Sequence, residues 1–193
     1  MAEIVSFRQM KHGTREDYLL LEEKERDYLR TLPARVLEAL AKLDQSLQGY
    51  PVSRLGHSLQ AATRAWRDDA DRELVVAALL HDVGDDLAPY DHAGVAAAIL
   101  RPYVRAEVTW IVEHHGLFQS FYYAHHLGLD RHARERYRDH RWYSACASFC
   151  ERWDQSSFDP DYPSEPLERF VPWVHEILSR PAHDPRYVGP ESG

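Results

Sequence analysis

The chain has 193 residues, enough for one domain of ordinary size with a true hydrophobic core. Apolar residues make up 44% and charged ones 28%, a balance that excludes an intrinsically disordered chain. Asp and Glu outnumber Lys and Arg by 31 to 23, giving −8 with no basic block, which argues against nucleic acid as a partner. No apolar run approaches the ~20 residues of a membrane span, and the N-terminus lacks a signal-peptide pattern, so a cytoplasmic protein is expected. Cys146 and Cys150, one helical turn apart, are too few for a disulfide framework and are expected as reduced thiols. The informative excess is 12 His beside 5 Trp and 11 Tyr.

Apolar residues recur at helical spacing nearly everywhere, with no alternating strand pattern, and the expected fold class is all-α. Thr14 can cap a first helix of mixed charge over 15–30. Pro33 sits in the first turn of a second, where Val36, Leu40, Leu43 and Leu47 form one stripe. Gly49-Tyr50-Pro51 then breaks the chain. A third helix is expected over 52–67 with Leu55, Leu59, Ala62 and Trp66 inward. A fourth over 71–83 ends at Gly84, read as a left-handed cap. Asp91 caps a short fifth helix carrying Val95, Ile99 and Leu100, and Pro102 separates it from a sixth over 103–115. A His- and aromatic-rich stretch follows over 116–129, then helices over 140–154 and 166–179. Residues 1–180 read as a single domain with its core at 50–155 and the helices of 14–48 packed on it. The tail from Pro181 to the end is expected to be poorly ordered.

The fourth helix carries the sharpest chemical signal. Leu74, Val75, Ala78 and Leu79 define its buried face, and His81 and Asp82 fall on that face seven residues beyond Leu74 and Val75. An unpaired carboxylate in a core is costly, and a bound cation removes the cost. The same periodicity aligns His115 with Val104, Val108 and Ile111, His92 with Val95 and Ile99, and Asp154 with Tyr143, Ala147 and Cys150. His57 lies near the stripe of the third helix. His57, His81, Asp82, His92, His115 and Asp154 thus converge from five helices. Six N and O donors with one carboxylate able to bridge suit two metal ions, and the absence of thiolate favours Fe, Mn or Zn in an open site.

These residues resemble the HD-domain superfamily of metal-dependent phosphohydrolases over about 50–154. Its H…HD…D pattern falls on His57, His81-Asp82 and Asp154, and His92 and His115 look like the second-metal ligands of its two-metal members. The resemblance implies an all-α helical bundle in which Asp82 bridges two ions. A narrower likeness, carried by Val52-Ser53-Arg54-Leu55-Gly56-His57, Leu79-Leu80-His81-Asp82-Val83-Gly84 and Glu151-Arg152-Trp153-Asp154, is to mixed-valent diiron oxygenases that cleave carbon–phosphorus bonds. Gly49-Tyr50-Pro51, Leu87-Ala88-Pro89-Tyr90 and His114-His115-Gly116-Leu117-Phe118-Gln119 look more like the branch acting on a trimethylammonium substrate. That likeness implies two Fe ions and O2-dependent conversion of (R)-1-hydroxy-2-(trimethylammonio)ethylphosphonate to glycine betaine and phosphate.

Departures shape the expected substrate contacts. The amino-phosphonate branch places a Glu where this chain has Tyr50; a quaternary ammonium has no N–H to donate and is held instead on aromatic faces. Tyr50, Tyr90, Phe118, Phe121, Tyr122 and Tyr123 are the available walls. That branch's anion-binding Lys and Arg are replaced by Gln119 and Glu151, leaving Gln119, His125, His126 and Arg152 as substitutes. Asp85 stands where many HD phosphohydrolases carry Lys, and is expected either to orient a ligand histidine or to be solvated. Two other functions fit the same donors: a phosphohydrolase acting on a nucleotide or small phosphate ester, with Mn or Zn, and a non-catalytic module stabilised by its metals. None of these patterns specifies an oligomeric state.

Overall fold

Capping residues decide where most helices begin. The computed structural model describes residues 4–189, and their regular structure is entirely helical. Thr14 opens α1 (Arg15–Leu29) with a reciprocal box: its hydroxyl accepts from Asp17 N–H, and the Asp17 carboxylate accepts from Thr14 N–H. Pro33 lies in the first turn of α2 (Leu32–Lys42). Ser53 accepts Gly56 N–H to start α3 (Arg54–Arg67), and Asp71 accepts Glu73 and Leu74 N–H to start α4 (Arg72–Leu80). Asp91 accepts Gly94 N–H at the head of α5 (His92–Leu100). α6 (Ala106–Tyr123), α7 (Tyr143–Phe149), α8 (Val171–Leu178) and the short α9 (Pro185–Val188) follow.

α4 is the central rod, with every residue from 75 to 80 buried. α3 lies along one side of it, α8 along another, and α2 packs on α8 and α3. α5 packs on α6 and α6 on α7, closing the bundle over α4. Leu40, Leu43, Leu79, Phe118, Phe149 and Phe170 are fully buried anchors of this core. By contrast α1 buries only Asp17, and its Tyr28 and Leu29 face solvent. Among the described residues no helix is long and apolar enough to cross a membrane.

Several boundaries depart from the periodicity. Leu47 is exposed because α2 gives way to a 3-10 turn over Leu43–Gln45 that ends its stripe. The buried face of α3 is largely polar and small, with His57, Ser58, Gln60 and Thr63 among three alanines, while Leu55, Leu59 and Trp66 are half-buried. α4 stops at Leu80, so His81 and Asp82 lie in the turns that follow it. Gly84 is not left-handed; that conformation belongs to Gly49, Gly128 and Gly189 among the described glycines. A Cβ at Gly84 would stand 2.7 Å from Val95 Cβ and 2.8 Å from His92 O, so glycine is needed for α5 to approach.

α6 runs through Gly116 to Tyr123 instead of ending at His115. A helical glycine costs only ~1 kcal/mol, which the burial of Phe118 beyond it offsets. α7 begins at Tyr143 and passes into a π-helical turn over Cys150–Asp154. The helix expected over 166–179 is a 3-10 turn, Leu167–Arg169, followed by α8. The chain beyond Pro181 is tied down as far as 189: His183 N–H donates to Pro102 O at 2.7 Å, and α9 follows. The remainder of the tail expected to be loose, 190–193, lies outside the described residues.

Candidate metal centre

Five pieces of backbone deliver the six predicted donors to one point. His57 comes from α3, His81 and Asp82 from the turn after α4, His92 from the first residue of α5, His115 from mid-α6, and Asp154 from the π turn. All but His92 are at least 97% buried, and His92 is half-buried. In the π turn Gln155 N–H reaches back to Cys150 O, one residue further than an α-helical bond. The extra residue aims Asp154 inward beside Trp153, whose indole N–H is held by Asp68.

Each ring is anchored through Nδ1. His57 Nδ1–H donates to Ser157 O (3.0 Å), His81 to Ala78 O (2.8 Å) and His115 to Val112 O (2.6 Å), while His92 faces Asp85 Oδ1 (3.3 Å). Carbonyl and carboxylate oxygens only accept, so these partners assign the donor to Nδ1 and leave the Nε2 lone pairs to the interior. The Nε2 atoms of His57 and His81 lie 3.0 Å apart, and those of His92 and His115 lie 3.2 Å apart. Asp82 sits between the two pairs. Its Oδ2 is 3.4 Å from His57 and His81, and its Oδ1 is 3.3 Å from His92 and His115. Asp154 Oδ1 completes the first pair at 3.3 and 3.7 Å, and Asp154 Oδ2 is buried without a partner.

The electrostatics match this arrangement. Burial opposes ionisation of Asp82, yet His81 and His115, when their rings are charged, and Arg54 hold its carboxyl well below the usual range. Burial likewise opposes ionisation of Asp154, and the His57 and His81 rings, once charged and carrying an N–H on Nε2 as well, bring it down. Two buried carboxylates and two facing pairs of nitrogen lone pairs would repel one another without positive charge between them. An orphaned carboxylate oxygen and converging lone pairs are what a cation satisfies, and the donor set can hold a pair of divalent ions. Cys146 and Cys150 stay apart from it, donating their thiols to Ile111 O and His115 O.

Arg54, one turn before His57, belongs to the same site. Its Nη2 donates to Asp82 Oδ2 at 2.7 Å and its Nε to Asp85 Oδ2 at 2.6 Å. Burial would lower its pKa, but Asp82 and Asp85 outweigh burial and raise it. The sequence pattern did not single it out, although its i, i+3 spacing to His57 puts both on one face.

A cavity of about 420 Å³ opens above the donors, walled by Tyr50, Tyr122, Tyr123 and Phe158 with Gln119 beside them. Phe158, absent from the expected walls, stacks on His57 (ring centroids 4.4 Å) and on Tyr50 (5.2 Å). Gln119 Nε2 donates to Asp154 Oδ1 at 3.0 Å. The structure does not bring the remaining expected contacts here. His125 and His126 are exposed in the 3-10 turn Ala124–Leu127, because the longer α6 carries them past the cavity. Arg152 turns outward from the π segment and pairs with Asp68 at 2.8 Å. Phe118 is in the core, Tyr90 is fully exposed, and Phe121 packs against Arg131 and Arg134.

Comparison with curated proteins found no match. A family model described as "HD domain" matches residues 33–155, nearly two thirds of the chain. The match spans all six donors, from the helix bearing His57 to the π turn bearing Asp154, and the chain belongs to the HD domain family.

Proposed function

We propose that the protein is a diiron oxygenase that cleaves the carbon–phosphorus bond of a 1-hydroxyphosphonate. The proposed reaction takes (R)-1-hydroxy-2-(trimethylammonio)ethylphosphonate and O2 to glycine betaine and phosphate. The observation that carries this reading is the aromatic cavity above a two-faced carboxylate. Tyr50, Phe158, Tyr122 and Tyr123 offer ring faces, and the cavity's one guanidinium, Arg54, is already paired with Asp82 and Asp85. A quaternary ammonium gains ~0.5–2 kcal/mol from each such face and needs no hydrogen-bond acceptor.

In this reading His57, His81 and Asp154 would hold one iron and His92 and His115 the other, with Asp82 placed to serve both. The irons supply the redox chemistry with O2 and the Lewis acidity that the phosphonate needs. A mixed-valent iron pair over Asp82 and Asp154 would leave three positive charges, enough to hold a phosphonate dianion without a lysine. Gln119 orients Asp154 through its amide N–H. The aromatic walls fix the ammonium end, so that the hydroxyl-bearing carbon faces the donors, and they exclude water. The protein's residues thus bind, orient and dry the substrate.

The test is protein loaded anaerobically with Fe(II) and then given this substrate and air. Equal release of phosphate and glycine betaine, with consumption of O2, is expected. No phosphate under these conditions contradicts the proposal. The same carboxylate bridge also serves a phosphohydrolase, which activates a bridging water between two ions. Anaerobic, Mn-dependent release of phosphate from nucleoside monophosphates would establish that second reading.

A further inference from the structure

Four rings point their Nε2 atoms inward, but they are not held alike. His57, His81 and His115 are anchored on main-chain carbonyls of Ser157, Ala78 and Val112. Those three carbonyls belong to buried residues, two of them inside α4 and α6. His92 is anchored on a side chain, Asp85 Oδ1, at 3.3 Å, and it is the most exposed of the four. Asp85 is held in turn by Arg54, whose Nε donates to Asp85 Oδ2 while its Nη2 donates to Asp82 Oδ2. Asp82 Oδ1 closes the circuit at 3.3 Å from His92 Nε2. Arg54, Asp85, His92 and Asp82 therefore form a ring of charge-assisted contacts around one half of the donor cluster.

We infer that Arg54 and Asp85 are positioning residues that set the affinity of the cation held by His92 and His115 and add nothing to the hold on the cation of His57, His81 and Asp154. A charged acceptor on Nδ1 fixes the tautomer of His92, aims its ring and makes its Nε2 more basic. Arg54 keeps that acceptor in place, and its planar fork reaches both carboxylates at once as a lysine ammonium does not. Because the Asp85 carboxylate pairs with His92 and with none of the other five donors, its loss is felt on one side. Removal of Arg54 releases Asp85 and also frees Asp82 Oδ2 from competition, so the first cation binds as tightly or more tightly.

This inference rests on the two-cation reading of the donors and not on which reaction they perform. The experiment is calorimetric titration of Mn(II) into the metal-free full chain, with metal content measured after gel filtration, for wild type, D85N, D85A and R54Q. Wild type is expected to take up two ions. The variants are expected to bind the first with unchanged or higher affinity and the second about 10- to 100-fold more weakly. D85N, which keeps an oxygen acceptor, should fall between wild type and D85A. Should R54Q fail to fold, the two Asp85 variants decide alone. Two wild-type ions with variants that bind both as wild type does, or that lose both in parallel, would overturn the inference. Fewer than two ions in the wild type would overturn the two-cation reading itself.

Discussion

At the residue scale, the cluster is built on a polar pair standing where a core helix needs apolar residues. His81 and Asp82 continue the face of Val75, Ala78 and Leu79, and the structure buries both. The supporting residues left no such trace. Arg54 looks like any helical surface arginine, and Phe158 lies in an irregular stretch without periodicity. Gly84 was legible as special but for a different reason: the room it leaves lets the His92 backbone approach. Replacing Gly84 with Ala should therefore push α5 outward, costing roughly 1–3 kcal/mol by chemical denaturation and lowering the metal content. Unchanged stability and two bound ions would count against that role. On the substrate side, Tyr50→Leu should raise KM by roughly 2- to 30-fold for the trimethylammonium substrate. The uncharged tert-butyl analogue should be unaffected, and an equal effect on both would point to shape alone.

At the element scale, helix existence was readable from 3.6-residue periodicity, whereas ends depended on packing that no local pattern carries. α6 outlasts Gly116 because Phe118 is buried beyond it, and α7 changes pitch at Cys150 to bring Asp154 inward. If the register of that π turn is what aims Asp154, inserting one Ala after Glu151 should turn Asp154 away from the cluster by about 100°. Circular dichroism should show the helix content retained, while the ion bound by His57 and His81 is lost; retention of both ions would refute this account of the π turn. α1 presents a separate case. Backbone N–H groups of Ser6 and Thr14 hold the Asp17 carboxyl at about 2. A lowered value stabilises above the ordinary carboxylate pKa and is lost as pH falls through the lowered one. Amide exchange in α1 should thus accelerate between roughly pH 4 and pH 2 in the wild type. In D17N that acid step should be missing.

At the scale of the whole molecule, the cluster couples stability to both protons and cations. Burial works against charge on His57 and His81, but the carboxylates of Asp154 and Asp82 overcome it and raise both above the ordinary imidazole value. A raised pKa contributes stability that is complete below about 6.5 and disappears as pH rises through the raised value. The metal-free chain should therefore lose Tm as pH rises above about 6.5. With cations bound the sign reverses, because ligation needs neutral imidazoles and releases their protons. The loaded chain should gain Tm over the same range and lose its ions in acid. Parallel profiles for the two forms would contradict a metal role for these histidines.

A pair of cations sharing Asp82 would be visible in anomalous diffraction from crystals of Fe-loaded protein, recorded above and below the iron absorption edge. Two peaks roughly 3.5–4 Å apart are expected, one among His57, His81 and Asp154 and one between His92 and His115, with an Asp82 oxygen on each. A single peak, or two peaks with Asp82 bound to only one, would contradict the account.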